Sequence, residues 1–248
     1  MKVVEKIKEP IYEEMELFEK KFKNSMSSKV PLLNRITHFI VNRKGKQMRP
    51  MFVFLVAKMF DKNKFGDKCY RAASVIELIH TATLVHDDVV DESLKRRGRP
   101  TANLLWDNKS SVLDGDYLFS RSFQLMVEVG SLEILDILAN ASATIAEGEV
   151  LQLTVSQNIK TDEETYLKVV RGKTAALFSA ATQVGGQVAG ASVEDCNALY
   201  EYGDALGIAF QIKDDILDVT GDAPVTNNFF SLFSLDTGQK FEDCLLYT

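Results

Sequence analysis

The feature that most constrains this chain is the run from Glu77 to Asp91, an apolar helical stretch that closes on three carboxylates, Asp87, Asp88 and Asp91. The same Asp-Asp-x-x-Asp pattern returns at Asp214, Asp215 and Asp218, again on an apolar segment. At helical spacing His80, Asp87 and Asp91 fall within about 40° of one another, flanked by Thr83 and Leu84, with Asp88 on the adjoining face. Gln211, Asp214, Asp215 and Asp218 share one face of the second helix. One acidic cluster on a helix is usually a solvated face. Two of them inside apolar segments are different, because carboxylates there are costly unless something cationic neutralises them. Two such helices facing each other predict an all-oxygen site, which suits a hard cation such as Mg²⁺ rather than zinc. Mg²⁺ keeps waters and shares its sphere with substrate phosphates, so a phosphate or diphosphate substrate is expected.

The remainder of the chain is patterned as helix. Val4, Ile7, Ile11, Met15, Phe18 and Phe22 recur at three- and four-residue steps, with Pro10 opening a second helix. A polar break at 24–29 precedes a helix over 31–41, and Pro50 suits the first turn of the next helix. The carboxylate helix is expected over about Tyr70 to Asp91, and later helices over Ser111–Val129, Leu132–Val155, Glu163–Gln183 and Val193–Val219. Thr161-Asp-Glu-Glu164 resembles a capping box before one of them. Strand alternation is nearly absent. The expected architecture is all-α, one helical domain over 1–222, followed at 223–248 by an Asn-, Ser- and Phe-rich tail without helical period.

A chain of 248 residues has ample apolar content for a core, and its net charge of −6 speaks against a nucleic-acid partner. Cys69, Cys196 and Cys244 lie far apart and match no zinc spacing, which is cytosolic usage. The mixed charges of the first residues do not form a signal peptide, and no apolar run reaches membrane-spanning length. A soluble, cytoplasmic protein is expected, with a lipid-like substrate able to bring it to a membrane surface.

Two basic loops complement the carboxylates. Lys46 and Arg49 stand just before a helix whose free N–H groups favour an anion, and Arg96 and Arg97 follow the first carboxylate helix. Each loop alone is an ordinary solvated turn; with the aspartates they form a cationic counterpart to a diphosphate, and the arginine fork suits its oxygens. Gly172-Lys173-Thr174 is not a nucleotide-binding P-loop, because Leu167 occupies the place of the required earlier glycine. Lys173 is either a diphosphate ligand or a surface lysine. His80 is either a satisfied core histidine or a ligand two turns before Asp87.

Taken together, Gly45-Lys-Gln-Met-Arg-Pro50, the run Ile79 to Glu92, Arg96-Arg-Gly98, Ser111-Val-Leu, Gly115-Asp116, Glu147 to Gln152, Lys173-Thr174 and the run Phe210 to Asp218 resemble the trans-type polyprenyl diphosphate synthases, in particular the long-chain bacterial octaprenyl type. The resemblance covers about residues 1–222. It implies an isoprenoid-synthase helical bundle around a central cavity. It implies that Lys46, Arg49 and His80, helped by Arg97, hold isopentenyl diphosphate. Arg96, Lys173, Thr174 and Gln211 would hold an allylic diphosphate of farnesyl or geranyl type. Asp87, Asp88, Asp91, Asp214, Asp215 and Asp218 would carry Mg²⁺; of these, Asp87, Asp88, Asp91, Asp214 and Asp215, with Lys173, are the expected catalytic set. Ala82 and Thr83, five and four residues before Asp87, would form the first wall of the product channel. Both are small, which implies a long product of octaprenyl length and a role in quinone side-chain synthesis. A homodimer is implied as well.

The same resemblance sets the expected chemistry: the allylic C–O bond ionises, the double bond of isopentenyl diphosphate attacks the cation, and a proton is lost to the released diphosphate. Two rivals remain. A terpene cyclase would not need the Gly-Lys-x-x-Arg text, and a non-catalytic subunit would bind diphosphates without turnover. Family members continue past the second aspartate motif with a Gly-Lys-Asp loop and further helices. The stretch 223–248 resembles none of this, as a shifted reading frame or a truncated gene model would produce, so a C-terminally truncated bundle with weakened or absent turnover is expected.

Overall fold

A computed structural model of the protein describes residues 3–42, 45–60, 66–96, 98–155 and 161–220. The tail 223–248 and Arg97 lie outside the described residues, as does the side chain of Asp218. The described chain is built of helices: α1 (Val3–Lys8), a 3₁₀ turn (Glu9–Ile11), α2 (Tyr12–Ser25), α3 (Pro31–Val41), α4 (Met48–Phe60), α5 (Asp67–Val90), α6 (Ala102–Leu105), α7 (Asn108–Val129), α8 (Leu132–Val155), α9 (Glu163–Val170), a π turn (Arg171–Ala175), α10 (Ala176–Val188) and α11 (Val193–Thr220). The all-α expectation holds. One addition interrupts the basic loop after α5, where β1 (Lys95–Arg96) pairs antiparallel with β2 (Arg99–Pro100). Gly98, at φ 73°, makes the reversal that a side chain would resist.

The chain divides into two compact units, Met1–Ala139 with Ala180–Tyr200, and Asn140–Ser179 with Glu201–Thr248. In the first, α5 runs along α7 and also meets α2 and α4. The apolar spacing of the N-terminal helices accounts for its core: Ile11, Phe18, Phe54, Ile76, Leu78, Ile79, Leu118 and Met126 are all sealed from solvent. Phe18 stacks on Phe22 at 5.4 Å and meets the edge of Phe54 at 5.9 Å. In the second unit Tyr166 and Val170 of α9 pack with Leu167, Ile208 and Ile212, and Phe178 lies 5.4 Å from Phe210.

Local signals at helix ends are partly overturned. The capping box expected at Thr161–Glu164 is not formed. Asp162 caps α9 instead, accepting from the Thr165 N–H at 2.8 Å, while Thr161 Oγ1 turns back to the Val155 carbonyl at 3.4 Å. A carboxylate next to the positive end of a helix gains more than a hydroxyl does, and Asp162 is placed one residue closer. The expected helix over 163–183 is interrupted by the π turn and runs on to Val188.

The first unit carries one internal charge that the core does not neutralise. Asp114 of α7 is fully buried, accepts from Thr37 Oγ1 of α3 at 2.7 Å, and its Oδ2 finds no hydrogen-bond partner among the described residues; neither does Ser111 Oγ one turn earlier. Burial pushes its carboxyl up from 3.8 to about 6, against the lowering effect of the Thr37 hydrogen bond. Because the folded value lies above the unfolded one, unfolding releases a proton between these values, and stability falls as pH rises from about 4 to about 6. The rise is worth on the order of 3 kcal/mol. Asp114→Asn, which keeps the acceptor for Thr37, is therefore expected to raise the urea midpoint at pH 8 while leaving it unchanged at pH 4. An equal shift at both pH values would show that Asp114 is not the titrating group.

Candidate active site

The first group of candidate residues is assembled in the first unit by α4, α5 and the ribbon β1–β2. The basic text opens with Gly45 and the exposed Lys46. Gln47 takes φ 50°, and Arg49 sits in the first turn of α4. Arg49 Nη1 donates to His80 Nε2 of α5 at 3.0 Å, so two residues 31 positions apart meet. The Nε of Arg49 is sealed from solvent, and loss of water lowers its guanidinium to about 10 in spite of Glu77 nearby. A guanidinium poorly supplied with water is well disposed to accept anionic oxygens in its place.

One helical stripe further along α5 the carboxylates separate into two kinds. Asp87 is half-buried and Asp91, the C-cap of the helix, is exposed. Asp88 is buried; its Oδ1 accepts from Arg96 Nε at 2.8 Å, and its backbone carbonyl accepts from Asn103 Nδ2 at 3.2 Å. The ribbon thus serves to bring Arg96 back onto the helix it follows. His86, just before the motif, places Nε2 3.2 Å from the Val112 carbonyl and 3.3 Å from Asp116 Oδ1. The ring packs against Gly115, where a Cβ would stand 2.4 Å from Nε2. Ala82 is fully buried in α5, whereas Thr83 is half-buried, its hydroxyl donating to the His80 carbonyl at 2.9 Å.

The second unit repeats the division. Asp214 of α11 is exposed and Asp215 is buried. Tyr166 of α9 donates its phenol O–H to Asp215 Oδ2 at 2.6 Å, and Gln211 Nε2 donates to Oδ1 at 3.0 Å. Gln211 Oε1 in turn accepts from Thr174 Oγ1 at 2.7 Å. Burial, followed by the bond to a carboxylate, raises the Tyr166 hydroxyl pKa well beyond its ordinary value and keeps it a donor. Lys173, in the π turn, pairs with Glu149 of α8 at 2.9 Å. Among the described residues no three carboxylate, imidazole or thiol groups converge on one point. The donor set nonetheless fits Mg²⁺, which is held by one or two carboxylates and takes its other oxygens from phosphates and water.

A family model described as polyprenyl synthetase matches residues 30–230 of the chain. The chain belongs to the polyprenyl synthetase family. Octaprenyl diphosphate synthase of Escherichia coli (strain K12) is 43% identical over 219 residues, 88% of this chain and 67% of that protein. Among solved structures, a decaprenyl diphosphate synthase from Rhodobacter capsulatus is 53% identical with a TM-score of 0.85, over 91% of this chain and 69% of that one. A polyprenyl synthase from Caulobacter crescentus CB15, complexed with calcium and isoprenyl diphosphate, is 41% identical with a TM-score of 0.84, over 88% of this chain and 66% of that one. The chain thus spans about two thirds of the length of these relatives. Such proteins are transferases of isoprenoid synthesis, and their helical fold is the fold found here.

For this polyprenyl synthetase chain, the structure joins Arg49 to His80, Arg96 to Asp88, and Thr174 to Gln211, and it leaves Lys46 exposed. Reasoning from the sequence missed Tyr166, Glu149 and the contact of His86 with Asp116. Tyr166 had one visible signal: on an uninterrupted helix it would precede Lys173 by two turns and share its stripe, a register that the π turn alters. Glu149 and Asp116 lay inside the family-like text but carried no charge argument of their own.

Proposed function

We propose that the chain is a Mg²⁺-dependent prenyltransferase condensing isopentenyl diphosphate with an allylic diphosphate of farnesyl or geranyl type. Its product is a long-chain all-trans polyprenyl diphosphate, the precursor of a quinone side chain. The observation that carries this reading is the division common to both aspartate motifs. In each, one carboxylate is buried and bonded to the protein, Asp88 to Arg96 and Asp215 to Tyr166, and the one before it is more open, Asp87 half-buried and Asp214 exposed. In each motif a buried anchor fixes the direction of the more open carboxylate beside it, and such rigid donors lose little freedom on binding a metal or its diphosphate.

Bound at these carboxylates, the metal would supply positive charge to the departing diphosphate oxygens. Arg49, His80 and Lys46 hold isopentenyl diphosphate, and the partly dehydrated Arg49 provides the strongest fixed charge. Lys173, Thr174, Gln211 and Arg96 serve the allylic diphosphate. Lys173 leaves Glu149, and stabilisation of the leaving group lets the allylic C–O bond break with its electron pair on the diphosphate. The double bond of isopentenyl diphosphate attacks the resulting cation, and the proton lost next goes to the released diphosphate. Asp91 and Asp218 complete the proposed metal set.

A homodimer fits the apolar side chains that α7 leaves exposed, Leu113, Phe123 and Val127. No helix among the described residues is long and apolar enough to cross a membrane; a cytoplasmic setting fits the scattered cysteines, and a product of this length would bring transient membrane contact.

Incubating the purified chain with labelled isopentenyl diphosphate, an allylic primer and Mg²⁺, then separating products by length, tests the reading. Binding of diphosphate without condensation would replace it by that of a non-catalytic subunit. Product length has its own test. We place the first wall at Thr83 rather than Ala82, since Ala82 has no exposed surface and a larger residue there would first have to displace packed atoms, at about 1–3 kcal/mol. Thr83→Phe is expected to shorten the dominant product to farnesyl or geranylgeranyl length while the first condensation survives. An unchanged ladder would put the wall elsewhere.

A further inference from the structure

Resting on the reading above, the geometry points to Tyr166 as a positioning residue for metal binding. It fixes Asp215 as an internal anchor and so determines the direction of Asp214. The steps are local and directional. Tyr166 O–H and Gln211 N–H donate to the two different oxygens of Asp215, at 2.6 and 3.0 Å. The amide of Gln211 is itself oriented, because its oxygen accepts from Thr174 Oγ1 at 2.7 Å. Tyr166, Gln211 and Thr174 belong to three different elements, α9, α11 and the π turn, so the network ties all three to one carboxylate. Asp215 is 5% exposed and Tyr166 is 3% exposed. In such surroundings a carboxylate deprived of a donor must find another or move.

The consequence reaches Asp214 through the helix. Residues 214 and 215 are neighbours on α11 and point about 100° apart. Pinning Asp215 inward therefore sets the azimuth at which Asp214 meets solvent, where its residue is exposed. Without the Tyr166 hydroxyl, Asp215 is free to turn outward and compete with Asp214 for the same cation. The same network carries Lys173's neighbour Thr174 through Gln211, so the π turn, α9 and α11 meet on the one carboxylate that the phenol fixes.

The test uses Mn²⁺ as probe, with inorganic diphosphate present, and reads binding by electron paramagnetic resonance on the full chain without turnover. Tyr166→Phe is expected to weaken Mn²⁺ binding by about 10-fold, the scale seen when a group behind a metal ligand is lost. It should raise the metal concentration for half-maximal turnover by a similar factor without changing KM for isopentenyl diphosphate. Asp215→Leu, which takes the acceptor away, should weaken binding comparably, and the double variant no more than the worse single one, because both changes break the same bond. A folded Tyr166→Phe that binds Mn²⁺ like the unsubstituted chain, or a double variant whose losses multiply, would overturn the assignment. If Tyr166→Phe does not fold, Thr174→Val takes its place: loosened Mn²⁺ binding there supports the network and unchanged binding overturns it. Failure of the unsubstituted chain to bind Mn²⁺ and diphosphate at all would instead remove the functional reading on which this rests.

Discussion

Asp87→Ala and Asp214→Ala are each expected to lower turnover by at least about 10²-fold, the scale of losing one group that stabilises charge in the transition state. Asp87 is half-buried and Asp214 exposed, and neither is the anchor of its motif. Their removal should therefore cost little stability, and the loss can be read as chemistry. The neighbouring positions behave differently. Asp215→Ala strips Tyr166 and Gln211 of a common acceptor, and Asp88→Ala does the same to Arg96. Loss of Asp215 leaves the buried Tyr166 hydroxyl unsatisfied at about 1–3 kcal/mol, and loss of Asp88 frees the half-exposed Arg96 at a smaller cost, so these variants should lose stability as well as rate. Chelation with EDTA should abolish turnover in the unsubstituted chain. Steady-state rates for the four variants, set beside their urea midpoints, separate the two classes. Full activity of Asp87→Ala in the presence of chelator would sink the metal-dependent reading.

What the sequence disclosed follows from the range over which each signal acts. Helices written in three- and four-residue spacing were legible, and the spans Pro31–Val41 and Leu132–Val155 agree with the structure to the residue. The short ribbon was not, because two residues per strand carry no period to detect. The π turn was equally hidden: one extra residue per turn leaves the apolar pattern on either side undisturbed, and the backbone it approaches, at Gly148, belongs to another helix. At the site, charge and spacing identified the carboxylates and the basic text. They could not say which aspartate of each pair faces inward. That depends on Arg96, eight residues from Asp88, and on Tyr166, 49 residues from Asp215. Partners so distant are chosen by packing, which no helical wheel contains.

Gly148→Val is expected to be among the most damaging single changes to stability, because it acts where two backbones touch. A Cβ at 148 would stand 2.8 Å from the Lys173 amide nitrogen and 2.9 Å from the Gly172 carbonyl carbon, and one at 172 would stand 2.9 Å from the Gly148 Cα. Backbone atoms cannot turn aside as a flexible side chain does. The larger residue must therefore push α8 and the π turn apart, at a cost of about 3 kcal/mol or more. The expected readout is a large fall in urea midpoint, with Gly148→Ala intermediate. Gly66→Ala, where an added Cβ meets nothing within 4 Å, should stay within about 0.5 kcal/mol of the unsubstituted chain. The same contact has a chemical meaning. Glu149 and Lys173, each next to one of the touching glycines, pair at 2.9 Å, and Thr174 follows directly. Only side-chain-free positions let the π turn come this close to α8 and deliver Lys173 and Thr174 together. A Gly148→Val chain that melts with the unsubstituted one would show that the two backbones are not in contact, and the placement of Lys173 would then need another explanation.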